Sequence, residues 1–182
     1  MTRSSLNLDE QEHFAPFKYD DQDFDLSHLD SHTVDYIHKS PGKSDIQYRF
    51  YVTYGMHCFA KDYDDLTAAD REKLLYHANK ESRPFCFRRY HLSKKLRSII
   101  GNLPNEFVFH GGYSAYATCK AQDINGDEVE YYVSFSVFRQ KKKLRIHVMS
   151  AYPLDESLGK RKKVGFFNIA RAVKQNNKLP SP

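Results

Sequence analysis

Residues 129–148 read Val129-Glu130-Tyr131-Tyr132-Val133-Ser134-Phe135-Ser136-Val137-Phe138-Arg139-Gln140-Lys141-Lys142-Lys143-Leu144-Arg145-Ile146-His147-Val148. Val129, Tyr131, Val133, Phe135 and Val137 share one side of a period-two pattern. A basic turn, Arg139 to Lys143, interrupts it, and Leu144, Ile146 and Val148 take it up again. Period two on both sides of a short polar turn predicts paired antiparallel strands, each with one buried face. Arg145 and His147 fall on the opposite side of the second strand.

The same grammar extends outward. Ser150-Ala151-Tyr152-Pro153 ends the second strand, because Pro153 cannot donate to a ladder. Upstream, Asn125-Gly126 is a hairpin signal. Before it, Tyr113, Ala115, Ala117 and Cys119 alternate, and Glu106 to His110 is a short strand. Ile46, Tyr48, Phe50, Val52 and Tyr54 mark an earlier strand that Gly55 should end.

Two helices are expected between these strands. Thr67-Ala68-Ala69-Asp70 has the form of a helix start, with Thr67 as cap and Asp70 three residues on, and the helix should run to about Lys80. Pro84 forbids its continuation. His91 to Ile100 carries an apolar stripe of Leu92, Leu96, Ile99 and Ile100. Gly101 suits a left-handed C-terminal position there. Val164 to Val173 reads as a last strand or helix. The expected fold class is α+β, with two helices packed on one face of an antiparallel meander sheet.

Charge divides the chain of 182 residues. Residues 1–45 hold four Lys/Arg and ten Asp/Glu, a net of 4 − 10 = −6; the remainder holds 24 − 13 = +11. With the break at Ser40-Pro41-Gly42, this suggests an acidic, partly ordered N-terminal arm (1–45), a single α+β domain (46–173) and a frayed tail (174–182). A cationic body beside an anionic arm points to a polyanionic partner.

Three cysteines, an odd number, and no signal-like apolar N-terminus lead us to expect a cytoplasmic protein with reduced thiols and no membrane span. His57-Cys58 with Cys86 and His91 is a weak zinc set, because adjacent strand residues point to opposite faces. No metal or cofactor is expected. P-loop, dinucleotide, HExxH and GxSxG patterns do not occur.

The densest basic region is 139–163. If its two loops lay close together they would flank a phosphate-attracting groove, with Lys142, Arg145, Lys160, Arg161 and Lys162 as nucleic-acid contacts. Arg89 would join them from the start of the second helix. Metal-independent RNA cleavage needs a base, an acid and a cation near the phosphate. His110 or His147 is the candidate for proton transfer, and Tyr152 for positioning or protonating the leaving group. His110-Gly111-Gly112-Tyr113 is a glycine turn where backbone could approach a phosphate.

Met56-His57-Cys58-Phe59, Phe87-Arg88-Arg89-Tyr90-His91-Leu92-Ser93-Lys94-Lys95-Leu96, Met149-Ser150-Ala151-Tyr152 and Lys160 to Phe167 resemble segments of small bacterial proteins associated with mobile elements. That resemblance implies a shared fold. Ser150-Ala151-Tyr152-Pro153 also looks like the late strand of barnase-, colicin- and RelE-type ribonuclease toxins, which implies ribonuclease chemistry.

The expectation is a nucleic-acid-directed protein, of the toxin-like, metal-independent ribonuclease kind, whose partners are RNA or another nucleic acid and an acidic protein or antitoxin. The alternative is a non-catalytic interaction module, a defence or mobile-element accessory, that binds a partner through its sheet edge and acidic arm.

Overall fold

The computed structural model describes residues 12–79, 81–112, 115–124 and 127–180. In chain order the elements are β1 (Phe17–Tyr19), β2 (Gln22–Phe24), β3 (His32–His38), β4 (Ile46–His57), α1 (Ala68–Leu74), β5 (Leu75–His77), β6 (Ser82–Pro84), α2 (Phe87–Ser93), α3 (Leu96–Gly101), β7 (Val108–Gly112), β8 (Ala115–Ile124), β9 (Asp127–Gln140), β10 (Lys143–Pro153) and α4 (Phe166–Lys174). The fold class is α+β, as expected.

Six strands form the main sheet in the order β3-β4-β10-β9-β8-β7. β7 to β10 form the expected antiparallel meander, and β3 pairs antiparallel with β4. The sheet as a whole is mixed, because β10 pairs with β4 in parallel, Leu144 opposite Phe50 through Val148 opposite Tyr54. This corrects the purely antiparallel expectation. The two strands lie some ninety residues apart in sequence, so no hairpin turn dictates their direction, and helices between them make the crossover.

Alternation decides which face is buried. Tyr48, Phe50, Val52 and Tyr54 of β4, Tyr131, Val133, Phe135 and Val137 of β9, and Ile146 and Val148 of β10 are all core residues. The helices cover this face: Phe166 of α4 packs on Tyr36 and Phe50, and the Tyr36 hydroxyl donates to the Ile100 carbonyl of α3. Leu92, Leu96, Ile99 and Ile100 are buried, so the predicted stripe is the real contact surface.

Several boundaries differ from expectation. The Thr67 cap forms as read: its Oγ1 accepts from the Asp70 amide at 3.1 Å and donates to the Asp70 carboxylate at 2.7 Å. The helix nevertheless stops at Leu74, because Leu75–His77 pairs with Ser82–Pro84 and buries Tyr76 against Phe14 and Phe59. The second helix starts earlier than expected and divides into α2 and α3 at Lys94 and Lys95. Gly101 is the last helical residue of α3, whose C-cap Asn102 lies at φ −102°, so no left-handed glycine ends that helix. Strand β4 runs through Gly55 to His57. Asn125, Gly126 and Tyr113 lie outside the described residues, although the strands flanking the first two pair Ile124 with Asp127.

Residues 12–45 are not a separate arm. Phe14, Phe17, Leu26, Leu29 and Tyr36 belong to the main core, and β3 is an outer strand of the sheet. Phe17 stacks on Phe85 with ring centroids 4.2 Å apart. Among the described residues the acidic side chains occupy turns and outer faces, while aromatics scattered among them enter the core. The tail is also docked: Leu179 packs on the core, and the Pro180 carbonyl accepts from the Tyr116 hydroxyl at 2.9 Å. Burying that phenol requires a partner for its O–H, and the tail backbone supplies one.

Candidate nucleic-acid interface

The parallel register starts with Leu144 of β10 opposite Phe50 of β4, so Ile46–Tyr48 run on past the start of β10 at Lys143. The sheet therefore has a notch at this end. Gln47, Arg49 and Tyr51 share the sheet face that the helices leave open. The tight β9–β10 turn stands across from them, with Lys141 and Lys142 at φ 47° and 66°. The C-terminus of α4 closes the third side, where Arg139 donates to the Lys174 carbonyl at 3.2 Å and the Lys174 ammonium reaches the Gln47 carbonyl at 3.4 Å.

The result is a shallow cleft of about 320 Å³ lined by Arg49, Tyr51, Arg139, Lys142, Lys143 and Lys174, with Gln47 and Leu144 between them. Among the described residues, no carboxylate lines it. The nearest acid on the adjoining strand, Asp35, takes both hydrogen bonds of a forked contact from Arg49, at 2.8 and 2.9 Å. That contact holds the Asp35 carboxyl below its usual range. The Tyr51 ring lies among the cations, and the buried Tyr48 ring also meets one of them. The Lys143 ammonium is 4.4 Å from the Tyr51 ring centre, and that of Lys174 is 5.0 Å from Tyr48.

Arg145 and His147 follow Lys143 on the open face, in register with Tyr51 and Thr53. Arg145 donates to the Gln140 side chain at 3.0 Å. His147 Nδ1 lies 3.0 Å from Thr53 Oγ1. Burial, and then the Arg145 charge, pull the His147 pKa down to about 4, so this imidazole is neutral at pH 7. A neutral ring can accept a proton, but so low a basicity makes it a weak general base at that pH.

The other predicted residues lie elsewhere. His110 faces the helix-covered side, its ring 5.0 Å from Tyr116, and that row continues through Phe135 to Val148. It is thus on the opposite side of the sheet from His147, and the two cannot serve one phosphate. Tyr152 lies at the far end of β10 beside Tyr132, with the Arg89 guanidinium 5.2 Å from its ring. Arg89 itself donates to the His57 and Ala60 carbonyls at 3.0 and 2.9 Å, which ties down the turn after β4.

The two basic loops do not meet. Lys163 bridges to Phe109 on the outer edge of β7, with Lys160, Arg161 and Lys162 just before it. Phe109 is in register with Ala117, Ser134 and Ser150, seven residues along β10 from Lys143. At about 3.3 Å per residue that is roughly 23 Å along the sheet, before any displacement across the strands. The sequence-predicted set thus divides, with Lys142, Arg145 and His147 gathered at or beside the notch. Arg49, Tyr51 and Lys174 were not singled out beforehand. For the first two a signal existed, since both stand on the polar side of the β4 alternation.

The cysteines do not form a reactive centre. Cys58 and Cys86 are buried, and burial drives the Cys58 thiol up to about 12, which keeps it protonated. Among the described residues no group of three or more His, Cys, Asp or Glu side chains is placed to hold a metal ion. No helix among them is long and apolar enough to cross a membrane.

Fold and site together define a mixed-sheet α+β domain with a basic, aromatic-floored notch where two parallel strands begin. The chain belongs to the YjaZ family, whose pattern matches residues 16–174. It is 47% identical over 175 residues to protein YjaZ of Escherichia coli strain K12, covering 95% of this chain and 97% of that protein. No solved structure matches. The family match begins at residue 16, inside the segment read from composition as an arm. It gives a specific family in place of the looser resemblance to mobile-element-associated proteins.

Proposed function

We propose that this protein binds nucleic acid through the notch between β4 and the β9–β10 turn. The supporting observation is the convergence of five cations, Arg49, Arg139, Lys142, Lys143 and Lys174, on a cleft that, among the described residues, no carboxylate lines. Such a cluster binds phosphates by releasing their counterions, and its affinity falls steeply with salt. Solvated lysines at a hairpin tip would account for Lys142 and Lys143. They do not account for Arg139 and Lys174, which come from the helix-covered side of the same end.

Binding fits this geometry better than cleavage. A ribonuclease at this face would use His147 as base, and Tyr152, the candidate acid, is five residues farther along β10. That separation is roughly 15 Å, beyond hydrogen-bond reach of a shared ribose and phosphate.

The test measures binding of a labelled RNA from 50 to 300 mM salt, with parallel incubation of total RNA in EDTA. Salt-dependent binding by the wild type, weakened at least tenfold in Lys142→Ala/Lys143→Ala, with RNA left intact, is the expected result. RNA cleavage that disappears in His147→Ala would restore the ribonuclease reading. Binding unaffected by the double substitution would remove the notch from consideration.

A second reading rests on a different observation. β3 is an outer strand of the sheet, with Ile37 55% exposed on the face of Gln47. An outer strand with an exposed isoleucine is a ready docking line for a protein partner's strand. A partner that co-purifies with the wild type and is lost in Ile37→Lys, with RNA affinity unchanged, would favour that reading.

A further inference from the structure

We infer that the ligand of the notch is a single-stranded nucleic acid, held with one base against the Tyr51 ring. The inference rests on the nucleic-acid reading above and narrows it. The notch is concave, and its aromatic group lies in the floor, on a strand, rather than on a projecting helix or loop. A duplex is a convex cylinder with its base faces stacked inward, so its phosphates could touch the rim cations while Tyr51 found no base face. A single strand turns its bases outward, and any base can lie on an aromatic ring.

The energies favour exchange at that ring. The Lys143 ammonium now lies 4.4 Å from the Tyr51 ring centre. A cation–aromatic contact at an exposed site is weak, because water screens the ammonium. Stacking of a base on an aromatic side chain is the stronger contact. A base can therefore displace Lys143, whose ammonium moves to a neighbouring phosphate and keeps its charge neutralised. The backbone of Ile46–Arg49 strengthens the argument, since it runs past the first residue paired with β10. Strand groups on that side can meet base edges, as the Gln47 carbonyl already meets the Lys174 ammonium.

Fluorescence anisotropy tests this, using the full chain with a labelled 12-nucleotide single-stranded RNA, the matching single-stranded DNA, and a hairpin duplex carrying the same number of phosphates, all at one salt concentration. Either single strand should bind at least tenfold more tightly than the duplex. Tyr51→Ala should lose about tenfold on single strands and little on the duplex, whereas Tyr51→Phe should retain the affinity. Circular dichroism of each variant establishes that it is folded. Equal or tighter binding of the duplex, still dependent on Lys142 and Lys143, would overturn the single-strand inference and leave the notch as a duplex site, with the Lys141–Lys142 turn entering a groove. Single-strand affinity unchanged in a folded Tyr51→Ala would also overturn it. No binding of any of the three would overturn both this inference and the reading on which it rests.

Discussion

Gly55 lies directly against the backbone of Met149: a Cβ on Gly55 would stand 2.8 Å from the Met149 carbonyl oxygen and 3.4 Å from that of Val148. This is where the β4–β10 register shifts, Gly55 and Met56 of β4 standing against Met149 alone, while on its other side Met149 is the extra residue of a bulge against β9. The atoms that block a side chain are backbone, so they cannot rotate away. Gly55→Ala should destabilise the fold by about 1–3 kcal/mol, the usual cost of overpacking. At about 2–4 °C per kcal/mol for a chain of this size, the melting temperature should fall by several degrees. A melting temperature equal to wild type would show that the bulge can relax.

His147 makes stability depend on pH. Its folded pKa of about 4 lies below the ordinary value of 6.5, so between these values the unfolded chain binds more protons than the folded one. The stability is therefore fully present above about pH 6.5 and is lost as pH falls toward 4. At about 1.4 kcal/mol per pH unit the loss approaches roughly 3 kcal/mol. His28, His32 and His57 are also held low, first by burial, and they contribute in the same direction. Urea midpoints measured from pH 7.5 to 4.5 should fall for the wild type and fall less for His147→Gln. Parallel curves for the two proteins would place His147 in a more solvated setting than described.

The N-terminal aromatics should prove structural. Phe17 stacks on Phe85 and meets Tyr76 and Phe24. Phe17→Ala should cost about 3–5 kcal/mol, as for other buried aromatic truncations. Removal of residues 1–45 should leave no cooperative unfolding transition, because it takes away an outer strand and five core side chains. A truncated chain that melts cooperatively would make the segment a dispensable arm after all.

Thiol chemistry should rank by burial. Cys58 is fully buried and Cys86 nearly so, whereas Cys119 is partly exposed. Burial also raises the Cys119 thiol to about 11, helped by the Glu130 carboxylate beside it. Iodoacetamide at pH 7.5 should modify Cys119 first and slowly, and Cys58 only after denaturation, as followed by peptide mass spectrometry. Rapid native labelling of Cys58 would indicate local opening of the turn after β4.

Much of this architecture is written locally. Period-two alternation in 46–54, 129–137 and 144–148 assigned each strand a buried face, because successive strand side chains point to opposite sides whatever the strand's neighbours. The pairing of β9 with β10 followed from the short turn between them, and Arg145 and His147 were placed on the outward face for the same reason. The Leu92, Leu96, Ile99 and Ile100 stripe was legible from helical spacing. Composition misled for residues 1–45, since charges on turns and outer faces outnumber the few aromatics that secure the segment to the core.

What local pattern could not contain is the direction in which β10 meets β4. That choice is made by packing between segments about ninety residues apart, and the helices crossing between them supply the connection that a parallel pair requires. It brings the starts of both strands, the β9–β10 turn and the end of α4 to one place. It thereby joins Arg49, Tyr51, Arg139, Lys143 and Lys174, which no spacing in the chain connects. The same tertiary choice put His110 and His147 on opposite faces and kept Lys160–Lys163 away from Lys141–Lys143, because strand register, rather than clustering in sequence, sets which side chains share a surface.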